Sequence, residues 1–265
     1  MRKRLFLNLI SVFIVALTAA AALVLQTSAA AVDYGLDVGG KRVTSDMLSG
    51  EGWKFEPDTN TLTLNGFISD VADKATFMKY DPKTKVYYYA FIRVENSMNL
   101  NIKLEGKEST IGDPYISGHA AERIGNTDSY NTFYGIYNPN GNVTVTGSAR
   151  LKVYTNLRGI SASKLTMDGC TGGIMMGAYT NCINVQRLIV KGGTKITASC
   201  GYGGAMKLMY NTPIHASKSI DIYDTSEVYS EIERDSDTDD YGISGIYCDG
   251  TINVYGGKLI AISYA

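Results

Sequence analysis

Asp235, Asp237 and Asp239 alternate along a run that also holds Glu233 and Asp240. Carboxylate oxygens spaced in this way are the donors that a hard divalent cation takes. Calcium is therefore the cofactor the sequence offers, with Asp235, Asp237, Asp239 and Asp240 as its ligands. The run departs from a helix-flanked calcium loop, because Asp240 stands where glycine makes the turn and Ile246 where a bidentate glutamate belongs. A solvated acidic loop is the competing reading of the same residues.

Other chemistry is thinner. Asp168, Asp221, Asp224 and Asp249 follow or occupy strand-like runs, and glycoside cleavage needs two carboxyls held about 5 to 9 Å apart with different proton affinities. Nothing in their spacing singles out such a pair, and Asp221 between Ile220 and Ile222 faces outward. The two histidines, His119 and His215, stand apart from any nucleophile motif. Ser117-Gly118-His119 lacks the strand-turn-helix setting of a nucleophile elbow, and the glycine pairs lack the helix and Lys-Ser/Thr of a phosphate loop. No catalytic residue is assigned.

Tyrosine is the richer signal, at 19 residues. Tyr87, Tyr88, Tyr89, Tyr115, Tyr130, Tyr134, Tyr137, Tyr154, Tyr179, Tyr202, Tyr210, Tyr223, Tyr229, Tyr241, Tyr247 and Tyr255 spread along the chain, several in an alternation that turns them outward. Outward rings stack on the apolar faces of sugars, and a ladder of them suits a long polymer. Plain strand propensity accounts for the same residues without a ligand.

These side chains must be positioned by strands, because the chain repeats with strand periodicity. A first anchor follows a small residue at Ile136, Ile160, Ile183, Ala205 or Met206, and Ile246. A second opens an alternating run at Val143, Leu165, Leu188, Ile220 and Ile252, and a third follows at Leu151, Ile174, Ile196, Val228 and Leu259. The distance from second to third anchor is nearly constant along the chain, and one cycle runs from Val143 to Leu165, and the next from Leu165 to Leu188, where no insertion intervenes. Apolar residues two apart mark strands, and the glycine pairs at 172–173, 192–193, 203–204 and 256–257 mark sharp turns. A unit of two or three short strands cannot close its own core, whereas stacked units can. The expected fold is all-β, a single-stranded right-handed parallel β-helix (β-solenoid) over 50–265, with a coil length of about 22–23 that matches the period of such repeats. A sandwich of antiparallel hairpins is the alternative.

Trp53 to Gly66 reads as a strand, a turn at Pro57 to Asn60 and a second strand, forming an N-terminal β cap. A tyrosine-rich strand at Val86 to Ala90 precedes a first irregular coil made of Phe91 to Val94 and Asn99 to Ile102, and residues 32–49 read as a linker. Excursions at 106–133, 207–218 and 230–240 interrupt the cycle, and loops of this kind often form the binding face of a solenoid.

Arg2, Lys3 and Arg4 precede an apolar run from Leu5 to Leu25 and a small-residue exit to Ala31, so residues 1–31 read as a secretory signal peptide. Membrane contact is expected only if this leader stays uncleaved as an anchor. Its removal takes the formal charge from -1 to -4, and no basic patch lies beyond it, which argues against a nucleic-acid partner. Cys170, Cys182, Cys200 and Cys248 do not have zinc-site spacing, and export leaves both disulfides and free buried thiols open.

The Trp-x-Phe-x-x-x-Thr-x-Thr-Leu-Thr-Leu-x-Gly pattern of residues 53–66, and coils such as 245–257 with Gly-Ile, a strand and a Gly-Gly turn, resemble exported bacterial carbohydrate-binding domain proteins. The resemblance implies a pectate-lyase-like right-handed β-helix, secreted or held at the cell surface, that binds cell-wall polysaccharide, in some members with calcium. It carries over no ligand residues, and the calcium aspartates with a catalytic Arg or Lys of lyases on that fold have no counterpart in this sequence. The expected function is non-catalytic binding of an extracellular polysaccharide or cell-wall glycan. A surface adhesin or structural protein is the alternative, and a polysaccharide lyase a more distant one.

Overall fold

Alternation of apolar and polar residues sets the strands. Leu151, Val153 and Thr155 are buried while Lys152 and Tyr154 between them are half-buried, and Leu100, Ile102 and Leu104 are buried while Asn101 and Lys103 are exposed. A row buried on one face needs a second sheet to cover it. The computed structural model describes residues 30–69, 74–113, 122–123, 130–200, 212–232 and 245–262. Residues from Asp33 onward form one structural unit. Among the described residues there is no α-helix, and hence none long and apolar enough to cross a membrane.

The N-terminal strands are β1 (Asp33–Val38), β2 (Lys41–Thr44), β3 (Ser49–Gly50), β4 (Trp53–Glu56), β5 (Thr61–Leu64), β6 (Ile68–Ser69), β7 (Thr76–Asp81), β8 (Val86–Val94), β9 (Leu100–Leu104) and β10 (Ser109–Gly112). After them come β11 (Glu122–Arg123), β12 (Tyr130–Gly147), β13 (Leu151–Thr155), β14 (Arg158–Asp168), β15 (Ile174–Ala178), β16 (Asn181–Lys191), β17 (Lys195–Cys200), β18 (Ile214–Tyr223), β19 (Glu227–Ile232), β20 (Ile246–Cys248), β21 (Thr251–Tyr255) and β22 (Lys258–Ile262). From β12 onward the chain passes alternately between two sheets. The first runs β20-β18-β16-β14-β12-β9-β5-β4-β3, with β8 also beside β12 and β21 beside β18, and the second runs β22-β19-β17-β15-β13-β10-β6.

Every pairing from β12 to β22 is parallel, which excludes antiparallel hairpins as the basis of the repeat. The anchors stack in register. Val143, Leu165, Leu188, Ile220 and Ile252 form one column, and Leu151, Ile174, Ile196, Val228 and Leu259 another. Most are fully buried, at roughly 1.5–3 kcal/mol each from removal of a large aliphatic side chain from water. Ile252 and Val254 continue the columns of Ile220 and Ile222 but are 45% and 44% exposed, because no strand is stacked beyond β21 among the described residues.

Three differences from the sequence reading are corrections. Residues 32–49 are not a linker: β1 pairs antiparallel with both β2 and β8, and Leu36, Val38 and Val43 are fully buried. The apolar alternation there is short and broken by Asp37 and Gly39-Gly40, which hid it. The fourth first-column residue is Ile214, between Ile183 and Ile246 in the ladder, not Ala205 or Met206, which lie outside the described residues. The step from third to first anchor is therefore as long from Ile196 to Ile214 as from Val228 to Ile246, so both insertions fall at the same point of the cycle. The segment between β10 and β12 falls there too.

The turn inside Trp53–Gly66 is where the proline and asparagine put it. Pro57–Thr59 make one 3-10 turn, Asn60 takes a left-handed φ of 49°, and β4 returns antiparallel as β5. Among the described residues no disulfide joins the cysteines, and Cys170, Cys182 and Cys200 are buried.

Candidate functional site

The outer surface of β12, β14, β16 and β18 gathers the polar and aromatic side chains of the repeat. In β14 the inward alternation slips at the corner between the two sheets: Ile160 is fully buried, and a Cβ on Gly159 would lie 3.0 Å from the Met176 methyl of the second sheet. Two consecutive inward positions leave half-buried Arg158 on the outer side of one and Ser161, still only 5% exposed, on the outer side of the other. The same register in β12 and β16 sets three outer columns. Tyr134, Arg158 and Asn181 form the first, and Tyr137, Ser161, Asn184, His215 and Tyr247 the second. Asn142, Lys164, Arg187, Ser219 and Thr251 form the third.

Contacts along these columns hold the side chains in place. His215 Nδ1 lies 2.8 Å from Asn184 Oδ1, its ring lies 5.4 Å from that of Tyr247, and its Nε2 is 3.8 Å from Asp249. Tyr134 meets Tyr137 edge-on at 4.8 Å and Tyr88 at 6.5 Å, while Lys79 sits 4.9 Å over the Tyr88 ring. Burial pushes the Tyr134 phenol up to about 12, so it remains a neutral donor at any physiological pH. Asn181 donates through Nδ2 to the Thr212 carbonyl at 2.6 Å, and Asn156 ties the backbone of Asn131 and Phe133 beside it.

Both signs of charge occur on this face, with Asp249 3.8 Å from His215, but three of its cations lack a carboxylate partner among the described residues. Arg158 has its Nε buried without a hydrogen-bond partner, and among the described residues no carboxylate pairs with Arg158, Lys164 or Arg187. Rings, amides and cations in register can offer hydrogen bonds and stacking surface side by side.

The four candidate carboxylates have different partners. Lys191 reaches Asp168 at 3.0 Å, and Ser219 and Asn253 donate to Asp221 at 2.9 and 2.7 Å. The backbone N–H of Gly192 donates to Asp224 at 3.2 Å, and Asp249 faces His215. The calcium candidates Asp235, Asp237, Asp239 and Asp240 lie outside the described residues, as do His119, Tyr115, Tyr202, Tyr210 and Tyr241. Among the described residues no group of three or more His, Cys, Asp or Glu is placed to hold a metal ion.

The tyrosines divide. Tyr137 and Tyr247 face outward, Tyr223 stacks on Tyr255 at 4.9 Å on the same sheet, and Tyr154 lies on the second sheet with its hydroxyl 3.0 Å from Met175 Sδ. Tyr179 is buried at 2% exposure. Sequence reasoning missed Arg158, Lys164 and Arg187. Lys164 and Arg187 are one cycle apart and each immediately precedes a second anchor, Leu165 and Leu188, a signal that can be read only once the strands are known to pair in parallel register. Comparison with family models, with curated proteins and with solved structures finds no match to this chain.

Proposed function

We propose that this protein is exported, that its repeat winds as a single-stranded right-handed parallel β-helix, and that it binds an extracellular polysaccharide without cleaving it. The observation that carries the reading is the outer face of β12, β14, β16 and β18, where Tyr137, Ser161, Asn184 and His215 stand in register on successive strands. Rigid ladders hold these groups at about 4.8 Å intervals, so a polymer lying across the strands meets a similar set of groups at each one. Alternation of the chain between two parallel sheets supports continuous winding, and parallel crossovers are right-handed in nearly all cases. The separate partners of Asp168, Asp221, Asp224 and Asp249 support binding over acid-base cleavage. Export rests on the leader, residues 1–31.

A glycan array probed with the purified protein tests the function, with Tyr137→Ala and Asn184→Ala as variants. Binding to a polysaccharide that both variants weaken is the expected result. Silence across all glycans, with adhesion to host proteins or cells, would select the adhesin reading instead. Calcium at Asp235, Asp237, Asp239 and Asp240 is a separate part of the proposal resting on sequence. Calorimetric titration of the protein and of its Asp235→Ala, Asp237→Ala double variant with Ca2+ tests it, and equal heats would remove that loop.

A further inference from the structure

We infer that the ligand of the outer face is an acidic glycan, whose anionic groups pair with Arg158 and Arg187. This inference rests on the polysaccharide reading above and sharpens it to a substrate class. Among the arginines whose side chains are described, Arg42 pairs with Asp33 and Asp37, Arg93 with Glu95, and Arg150 with Glu108. Among the described residues Arg158 and Arg187 pair with no carboxylate, and both lie on this one face.

Two features make that arrangement costly in the absence of a ligand. The first is the buried Nε of Arg158, desolvated and unsatisfied, which loses its hydration without a compensating acceptor. The second is the register of Lys164 with Arg187, which sets two cations side by side on adjacent strands of a chain whose formal charge is -1. Like charges directly opposite each other on a sheet repel. Elsewhere the same ladders pair unlike charges, as in Lys191 with Asp168 and Lys195 with Glu227. An anionic ligand answers the second feature directly: its charge cancels the repulsion between Lys164 and exposed Arg187, and it meets half-buried Arg158 through the guanidinium nitrogens other than the buried Nε. Guanidinium groups suit this task because their planar forks grip carboxylate, sulfate or phosphate oxygens in pairs. Tyr137, backed edge-on by the buried Tyr134 ring, supplies the apolar surface for the sugar ring.

The test is an equilibrium binding series with the purified protein against polygalacturonate, its fully methyl-esterified form, dextran sulfate, a glycerol phosphate polymer and neutral dextran. Binding to at least one acidic polymer, absent from the neutral ones and weakened steeply by added NaCl, is expected, and the three acidic arms separate carboxylate, sulfate and phosphodiester. Arg187→Gln and Arg158→Gln should each weaken it about tenfold or more, while Lys258→Gln on the second sheet should leave it unchanged. Arg187 is exposed, so its variant keeps the fold even if Arg158→Gln does not. Binding that is equal for acidic and neutral polymers and indifferent to Arg187→Gln would overturn this inference while leaving the polysaccharide reading intact. No binding to any polymer here or on the glycan array would overturn both.

Discussion

Leu165 pairs in parallel register with Leu188, one cycle later in the chain, and both are fully buried. That relationship defines the repeat: residues a full cycle apart become neighbours on adjacent strands facing one core. Each column is continuous, so a vacancy at one level removes contacts from the levels on either side.

Truncation of Leu165 to alanine should therefore cost about 2–5 kcal/mol, with Leu188→Ala in the same range. The two sit against each other, so the double variant should lose measurably less than the sum of the singles. Chemical denaturation of the four proteins, followed by tyrosine and tryptophan fluorescence, reads both numbers. Full additivity would contradict their contact.

Gly112→Ala should be among the most damaging single substitutions. Gly112 has a φ of +79°, and a Cβ there would lie 1.6 Å from the Tyr154 carbonyl oxygen on the paired strand β13. Backbone cannot yield as a side-chain tip can, so the expected cost is about 3–5 kcal/mol or loss of soluble protein. Gly169→Ala is the control, because a Cβ at Gly169 meets nothing within 4 Å, although its φ of +66° still carries a smaller penalty.

The N-terminal strands should show opposite titrations in two neighbouring carboxyls. Burial raises Asp37 above its ordinary 3.8, outweighing the pull of Arg42 and Arg93, while the Arg42 hydrogen bond lowers exposed Asp33. A raised carboxyl binds its proton more tightly in the folded state. The Asp37 contribution to stability is therefore greatest below 3.8 and declines as pH rises through its folded value. The stability of Asp37→Asn relative to the unsubstituted protein should accordingly increase with pH across that window. Carbon-detected NMR of the two carboxyls checks the order directly, with Asp37 titrating above Asp33.

Thiol reactivity should follow burial. Cys170 is fully buried, its Sγ donates to the Val145 carbonyl at 3.3 Å, and desolvation pushes its pKa up to about 11. Cys182 and Cys200 are also fully buried, whereas Cys248 is half-buried. Maleimide at neutral pH should label Cys248 alone in the native protein and all four cysteines in denaturant. Peptide mass spectrometry assigns the sites, and native labelling of Cys170 would contradict its placement.

Much of the architecture was legible because its signal is local and periodic. Strand alternation at Leu151-Val153 and Ile220-Ile222 needs only side-chain parity, and the reversal at Pro57–Asn60 needs only turn chemistry. Regular recurrence of the anchors, as from Val143 to Leu165 to Leu188, then implies which strands stack. What escaped was non-local. Asp33–Val38 becomes a strand because β8 offers it an edge, and Ile214 becomes the anchor because Ile183 and Ile246 flank it in the ladder. The cationic face escaped for a related reason: Arg158 and Arg187 are ordinary surface residues in the chain. Only sheet register shows Lys164 beside Arg187, and only the contacts around Arg158 leave its Nε buried without a partner. Periodicity could set the order and faces of the strands because it acts through each residue's own side chain. Pairing across a whole cycle, and the charge environment it creates, depends on which backbones meet, so tertiary structure alone decided them.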